Sequence, residues 1–122
     1  MGHEFEPLSG KVIEAALHVH RELGPGFLES IYENAMKVAL RKRGLPSVFQ
    51  AEVRVMFEAE EVGLHRLDLI VDREIVVELK AIKALEDVHF AQVRSYLKAT
   101  RLHVGLLMNF NSPTLIVKRI VL

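Results

Sequence analysis

Asp68, Glu78 and Lys80 are the side chains of this sequence whose types and spacing could do chemistry. They lie in and beside two apolar runs, Leu67 to Val71 and Ile75 to Val77, separated by the charged break Asp72-Arg73-Glu74. That is the pattern of a β-hairpin with a three-residue connection. If Val71 pairs with Ile75, then Ile70 faces Val76, Leu69 faces Val77, and Asp68 stands opposite Glu78. Side chains on a strand alternate between faces, so Glu78 and Lys80 share a face while Leu79 points away. Like charges opposite one another weaken a ladder, and a divalent cation is the simplest counter-charge. Two carboxylates with an ammonium beside them therefore predict a site for a hard, oxygen-seeking metal ion.

The elements that must position these groups follow from hydrophobic spacing. The hairpin register depends on the turn. Asp72-Arg73-Glu74 lacks the Gly that such loops often use, and a two-residue turn at Asp72-Arg73 would instead set Asp68 opposite Val77 and split the carboxylates between faces. Before the hairpin, Val12, Ala16, Val19 and Leu23 follow helical spacing over Lys11 to Leu23, with Ser9 as a candidate cap. Gly24-Pro25-Gly26 breaks that helix. A second helix starts near Leu28, with Leu28, Ile31, Ala35 and Val38 on one face, and stops at Arg41-Lys42-Arg43-Gly44. Val48 to Phe57 alternates as a strand near an edge of the sheet, and Glu58 to Gly63 connects it to the hairpin. After Lys80, Leu85 to Thr100 reads as a helix with Phe90, Val93 and Leu97 on one face and His89, Gln92 and Tyr96 on a polar stripe. Val104 to Phe110 is a short buried strand, and Leu115 to Val121 a last one after the Asn111-Ser112-Pro113 turn. The hairpin strands are apolar on both faces and so require cover on both sides. The order is α-α-β-β-β-α-β-β.

Composition narrows the function classes. The chain has 122 residues, 50% hydrophobic and 26% charged, which fits one globular domain over 1–122 with a substantial core. With no cysteine, a disulfide framework, a thiolate zinc site and a cysteine nucleophile are excluded. The N-terminus lacks a signal-peptide core and no apolar run reaches membrane-spanning length, so a cytoplasmic protein without membrane contact is expected. A formal net charge of +0 argues against a broad basic surface and leaves room for a local basic groove.

An Asp on one strand and Glu78-Leu79-Lys80 on the next, between flanking helices, resemble the PD-(D/E)xK nuclease superfamily. Gly26-Phe27-Leu28-Glu29-Ser30-Ile31-Tyr32 is similar to the Gly-x-x-Glu-x-x-Tyr signature of the GxxExxY family, a small group of bacterial proteins placed in that superfamily, with similarity from about Val19 to Phe110. Gln92-Val93-Arg94-Ser95-Tyr96 looks like the Gln-x-x-x-Tyr motif of the RecB-like and phage-exonuclease-like branches. The resemblance implies an α/β, restriction-endonuclease-like core: a mixed central sheet flanked by helices. It implies that Asp68, Glu78, the Leu79 carbonyl and Glu29, directly or through water, ligate Mg2+ or Mn2+. Lys80 would orient or help deprotonate the attacking water, and Gln92 and Tyr96 would position the scissile phosphate. The implied function is a metal-dependent nuclease acting on nucleic acid, DNA ahead of RNA; the minimal size of the chain adds the expectation of a homo-oligomer or of a partner subunit that supplies substrate binding. The alternative is a non-catalytic nucleic-acid-binding or assembly module on the same scaffold.

Each of these residues also has a plainer reading. Asp68 and Glu78 could belong to an ordinary ion network with Arg66 and Lys80. Glu29 could complement its helix dipole, and Gln92 and Tyr96 could line a solvated helix face. Tyr32 reads as a packing residue with a satisfied hydroxyl, His20 and His89 as structural, and Arg41-Lys42-Arg43 as a helix end. The nuclease reading requires Glu29, Asp68, Glu78, Lys80, Gln92 and Tyr96 to gather in one pocket.

Overall fold

The structure, a computed structural model, describes residues 7–122. Its elements are α1 (Pro7–Leu23), α2 (Glu29–Lys42), β1 (Ser47–Phe57), β2 (Glu60–Val71), β3 (Ile75–Lys80), α3 (Asp87–Thr100), β4 (Val104–Asn109) and β5 (Ile116–Val121). The five strands form one sheet in the order β1-β2-β3-β4-β5. The β3–β4 pair is parallel and the other three are antiparallel, so the sheet is mixed and α3 is the crossover between the parallel strands. This is the α-α-β-β-β-α-β-β arrangement that hydrophobic spacing predicts, with β1 at an edge.

Two cores sit on opposite faces of the sheet. One packs Val12, Val19, Tyr32, Met36 and Leu40 from α1 and α2 against Leu69, Ile75, Val77, Leu79, Leu106 and Met108. The other packs Val93, Tyr96 and Leu97 from α3 against Ala51, Leu67, Val76, Leu107 and Ile120. Strands β3 and β4 are buried on both faces, which explains their continuous apolar composition.

The structure corrects several details of the sequence reading. α1 begins at Pro7, which suits a first helical turn because Pro has no amide to leave unsatisfied. Ser9 is therefore inside the helix rather than capping it, and its Oγ is buried without a hydrogen-bond partner among the described residues. In α2 the buried residues are Tyr32, Met36, Ala39 and Leu40, while Leu28, Ile31 and Val38 are exposed. The expected face was displaced because the ring of Tyr32 anchors the helix, stacking on Phe110 at 4.7 Å. Its hydroxyl donates to Gly24 O (2.6 Å) and accepts from the Phe27 amide (3.2 Å). The Glu58 to Gly63 connection is a tight turn at Glu58-Ala59, both with positive φ, because β1 and β2 pair to Phe57↔Glu60. α2 does end at the basic run, where Gly44 takes a φ of +69°.

A candidate carboxylate site at the end of β3

The hairpin register is that of the three-residue connection: Val71↔Ile75, Ile70↔Val76 and Leu69↔Val77. The turn combines both alternatives. Asp72 and Arg73 have φ of 49° and 60°, and the Glu74 amide donates to Val71 O at 3.0 Å, as in a two-residue turn. Glu74 is an extra residue before β3 resumes, and this restores the register. The Asp72 amide donates to Pro46 O at 2.7 Å, tying the turn to the start of β1.

Beyond Leu69 and Val77 the carboxylates take over from the ladder. Asp68 Oδ2 accepts the Leu79 amide at 2.7 Å, and Glu78 Oε1 accepts the Asp68 amide at 3.2 Å. The two acids are thus locked by reciprocal hydrogen bonds to each other's strand. On the far side of β2 the β1 ladder passes from Phe49↔Leu69 to Ala51↔Leu67, leaving no partner pair between Gln50 and Asp68. Gln50 has a φ of +54°, a conformation unusual for a residue with a side chain. The strands change face there: Leu69 belongs to the α1–α2 core, and Leu67, two residues away, to the α3 core. Asp68 lies at that crossing.

Counter-charge is scarce. Arg66, the cation that an ordinary ion network would use, pairs instead with Glu52 at 2.7 Å. Lys80 Nζ lies 3.8 Å from Glu78 Oε2, with its side chain 17% exposed. Burial, then the neighbouring Asp68 charge, pushes the Glu78 carboxyl up to about 8, more than its hydrogen bond and Lys80 can offset. Burial also raises Asp68, against the Leu79 hydrogen bond, with Glu33 and Glu29 adding repulsion. Tyr96 is pushed up to about 12 by burial and by the charges of Glu78 and Asp68, against a smaller lowering influence of the neighbouring Gln92.

These interactions locate the six predicted residues. Asp68, Glu78 and Lys80 are gathered by the strand-amide bonds and the Lys80–Glu78 ion pair, and Tyr96 on α3 lies close enough to feel both acids, with Gln92 next to Tyr96. Glu29, at the first turn of α2, is exposed and accepts the Ala81 amide at 3.4 Å, at the end of β3. Among the described residues no three His, Asp or Glu side chains gather closely enough to hold a metal ion directly. Two cavities, of about 280 and 830 Å³, lie elsewhere and are lined by none of the six. The donor set nevertheless suits a hard divalent cation. Each acid uses one oxygen on a strand amide, and among the described residues Asp68 Oδ1 and Glu78 Oε2 accept from no backbone amide. Magnesium fills its remaining positions with water.

Three further residues belong to the surroundings of the site. Glu33, one helical turn after Glu29, raises Asp68 and accepts from Gln50 Nε2 at 2.7 Å. The i, i+4 spacing from Glu29 was a usable signal. Asn109 is fully buried and clamps the segment after Lys80: Oδ1 accepts the Ile82 amide at 3.2 Å and Nδ2 donates to Ile82 O at 3.0 Å. A polar residue ending an apolar strand was its only sequence signal. His65 contacts Ser95 Oγ at 3.0 Å and meets the Tyr96 ring edge-on at 4.9 Å, which no local pattern announces.

The family model of the PD-(D/E)XK nuclease superfamily matches residues 6–120. The chain belongs to the PD-(D/E)XK nuclease superfamily. The restriction-endonuclease-like sheet expected from the resemblance is the sheet observed. A solved structure described as "Crystal structure of SSO0001" is similar to this superfamily member at a TM-score of 0.60 and 19% identity, a likeness of fold. The match covers 75% of this chain and 48% of that one, so the chain spans about half the length of that protein. A comparison with curated proteins found no match. Among the described residues no helix is long and apolar enough to cross a membrane.

Proposed function

We propose that this PD-(D/E)XK domain hydrolyses nucleic-acid phosphodiester bonds, DNA ahead of RNA, with Mg2+ or Mn2+ as cofactor. The observation that carries the reading is the locked Asp68–Glu78 pair, Glu78 buried and Asp68 partly so, with Lys80 as the adjacent counter-charge among the described residues. Asp68 and Glu78 would hold the cation with the Leu79 carbonyl. Glu29, too far for a group of three acids, would act through water. When bound, the metal would polarise a phosphoryl oxygen and increase the acidity of water. Lys80 would orient the attacking water and stabilise charge developing on the phosphate. Gln92 and Tyr96 would fix the phosphate, the tyrosine as a hydrogen-bond donor because its hydroxyl stays protonated at neutral pH.

Calorimetry with Mg2+ and with Mn2+ tests the metal site: the parent binds, and Asp68→Ala and Glu78→Ala do not. Cleavage of plasmid and single-stranded substrates then tests the reaction, with Lys80→Ala as control. Absence of binding in the parent would remove the basis of the catalytic reading. It would favour the non-catalytic binding or assembly module, for which the formal net charge of +0 and the lack of a three-acid cluster among the described residues speak.

A further inference from the structure

We infer that β1 is a self-association surface, at which two copies of this chain pair antiparallel about Val53 and join their sheets. The strand lies at the edge of the sheet, and among the described residues one of its backbone edges has no neighbouring strand. From Ser47 to Phe57 it has no Pro and no Lys and is 11 residues long, and between the irregularity at Gln50 and the bulge at Val55/Met56 it leaves a regular stretch, Ala51–Val55, free to pair. The opposite edge, β5, is 6 residues long and carries Lys118-Arg119 at its middle, so self-pairing there would bring like charges together.

The sequence of β1 is self-complementary around Val53. A two-fold axis at that residue sets Val53 against Val53 of the second copy, Ala51 against Val55, and Glu52 against Arg54. Each unlike pair occurs twice, as an isologous interface requires. Within one copy, Glu52 already pairs with Arg66 at 2.7 Å and Arg54 with Glu61 at 3.4 Å, across to β2. Joining the edges therefore extends these pairs into two rows of alternating sign: Arg66 and Glu52 from one copy, then Arg54 and Glu61 from the other. On the opposite face Ala51 and Val53 border an open cleft of about 830 Å³ that α3 leaves beside β1. Pairing places the equivalent apolar side chains of the second copy alongside them. The positive φ of Gln50 at one end and the bulge between Val55 and Met56 at the other limit the pairing to Ala51–Val55. A two-fold between antiparallel neighbours stands perpendicular to the sheet, so both carboxylate sites open on the same face of the joined sheet.

Sedimentation velocity over a concentration series, on the full chain, tests this. The parent shows a reversible monomer–dimer equilibrium. Glu52→Lys sets like positive charges opposite each other twice, and Arg54→Glu like negative charges. Each raises the dimer dissociation constant by about tenfold or more, with unchanged circular dichroism. An equimolar mixture of the two variants regains parental association, because each chain then meets the opposite sign on the other at both positions. A parent that stays monomeric throughout, single variants that dimerise as the parent does, or a mixture that fails to recover each overturns the proposal. Recovery in the mixture also excludes misfolding as the cause of the loss. None of these residues belongs to the carboxylate site, so a failure here is independent of the metal-binding result.

Discussion

Replacing Glu78 by Gln should make the metal-free protein more stable in alkaline solution than its parent, and no more stable in mild acid. The carboxyl of Glu78 ordinarily titrates at 4.5 and is held at about 8 in the folded protein. The folded state therefore retains a proton that the unfolded chain has lost across this window. Stability associated with Glu78 is fully present below 4.5 and is lost as pH rises through 8. The difference between 8 and 4.5 corresponds to a ceiling of about 5 kcal/mol. Relaxation around the charge and the loss of the Lys80 contact reduce the expected gain in the variant to about 2 kcal/mol at pH 9. Gln keeps the oxygen that accepts the Asp68 amide, so little else changes. Asp68, also raised, contributes in the same direction in both proteins. Urea unfolding in EDTA, at several pH values from about 5 to 9, reads the difference directly. Added Mg2+ or Mn2+ should stabilise the parent and not Glu78→Gln, by about 2.7 kcal/mol at a hundred times the dissociation constant, enough to cancel the variant's lead at high pH and narrowly reverse it. Parent and variant curves that run parallel across this range would refute the premise that Glu78 is a buried charge short of a partner.

Two further substitutions test the frame that holds the site. A Cβ at Gly105 would lie 2.6 Å from Val93 Cγ1 and 3.5 Å from Leu97 Cδ1, so Gly105→Ala must push α3 away from β4. A loss of about 1–3 kcal/mol in urea unfolding is expected. Asn109→Ala removes both hydrogen bonds to Ile82 and the 3.2 Å acceptor for the Asn111 amide. It should cost about 1–3 kcal/mol and loosen the segment after Lys80, visible as faster amide exchange at Ile82.

The sequence by itself left the opposition of Asp68 and Glu78 to hang on the turn between them, but determined the element order and the two-sided burial of the central strands. These depend on short-range rules: apolar spacing sets element type, and a period of two sets which residues share a face. It also contained the family resemblance that places the chain in the PD-(D/E)XK superfamily. What it could not determine depends on packing between distant elements. The buried face of α2 is set by Tyr32 meeting Phe110, which is far away in sequence. The turn at Asp72-Arg73 keeps its register because Glu74 is left unpaired and Pro46 O holds the Asp72 amide. The exchange of faces at Gln50 and Asp68, where the Gln50 amide group meets Glu33, breaks the alternation that strand periodicity assumes. The scarcity of counter-charge was likewise decided by tertiary structure, because Arg66 turns to Glu52 and leaves Lys80 next to the buried Glu78 and the partly buried Asp68.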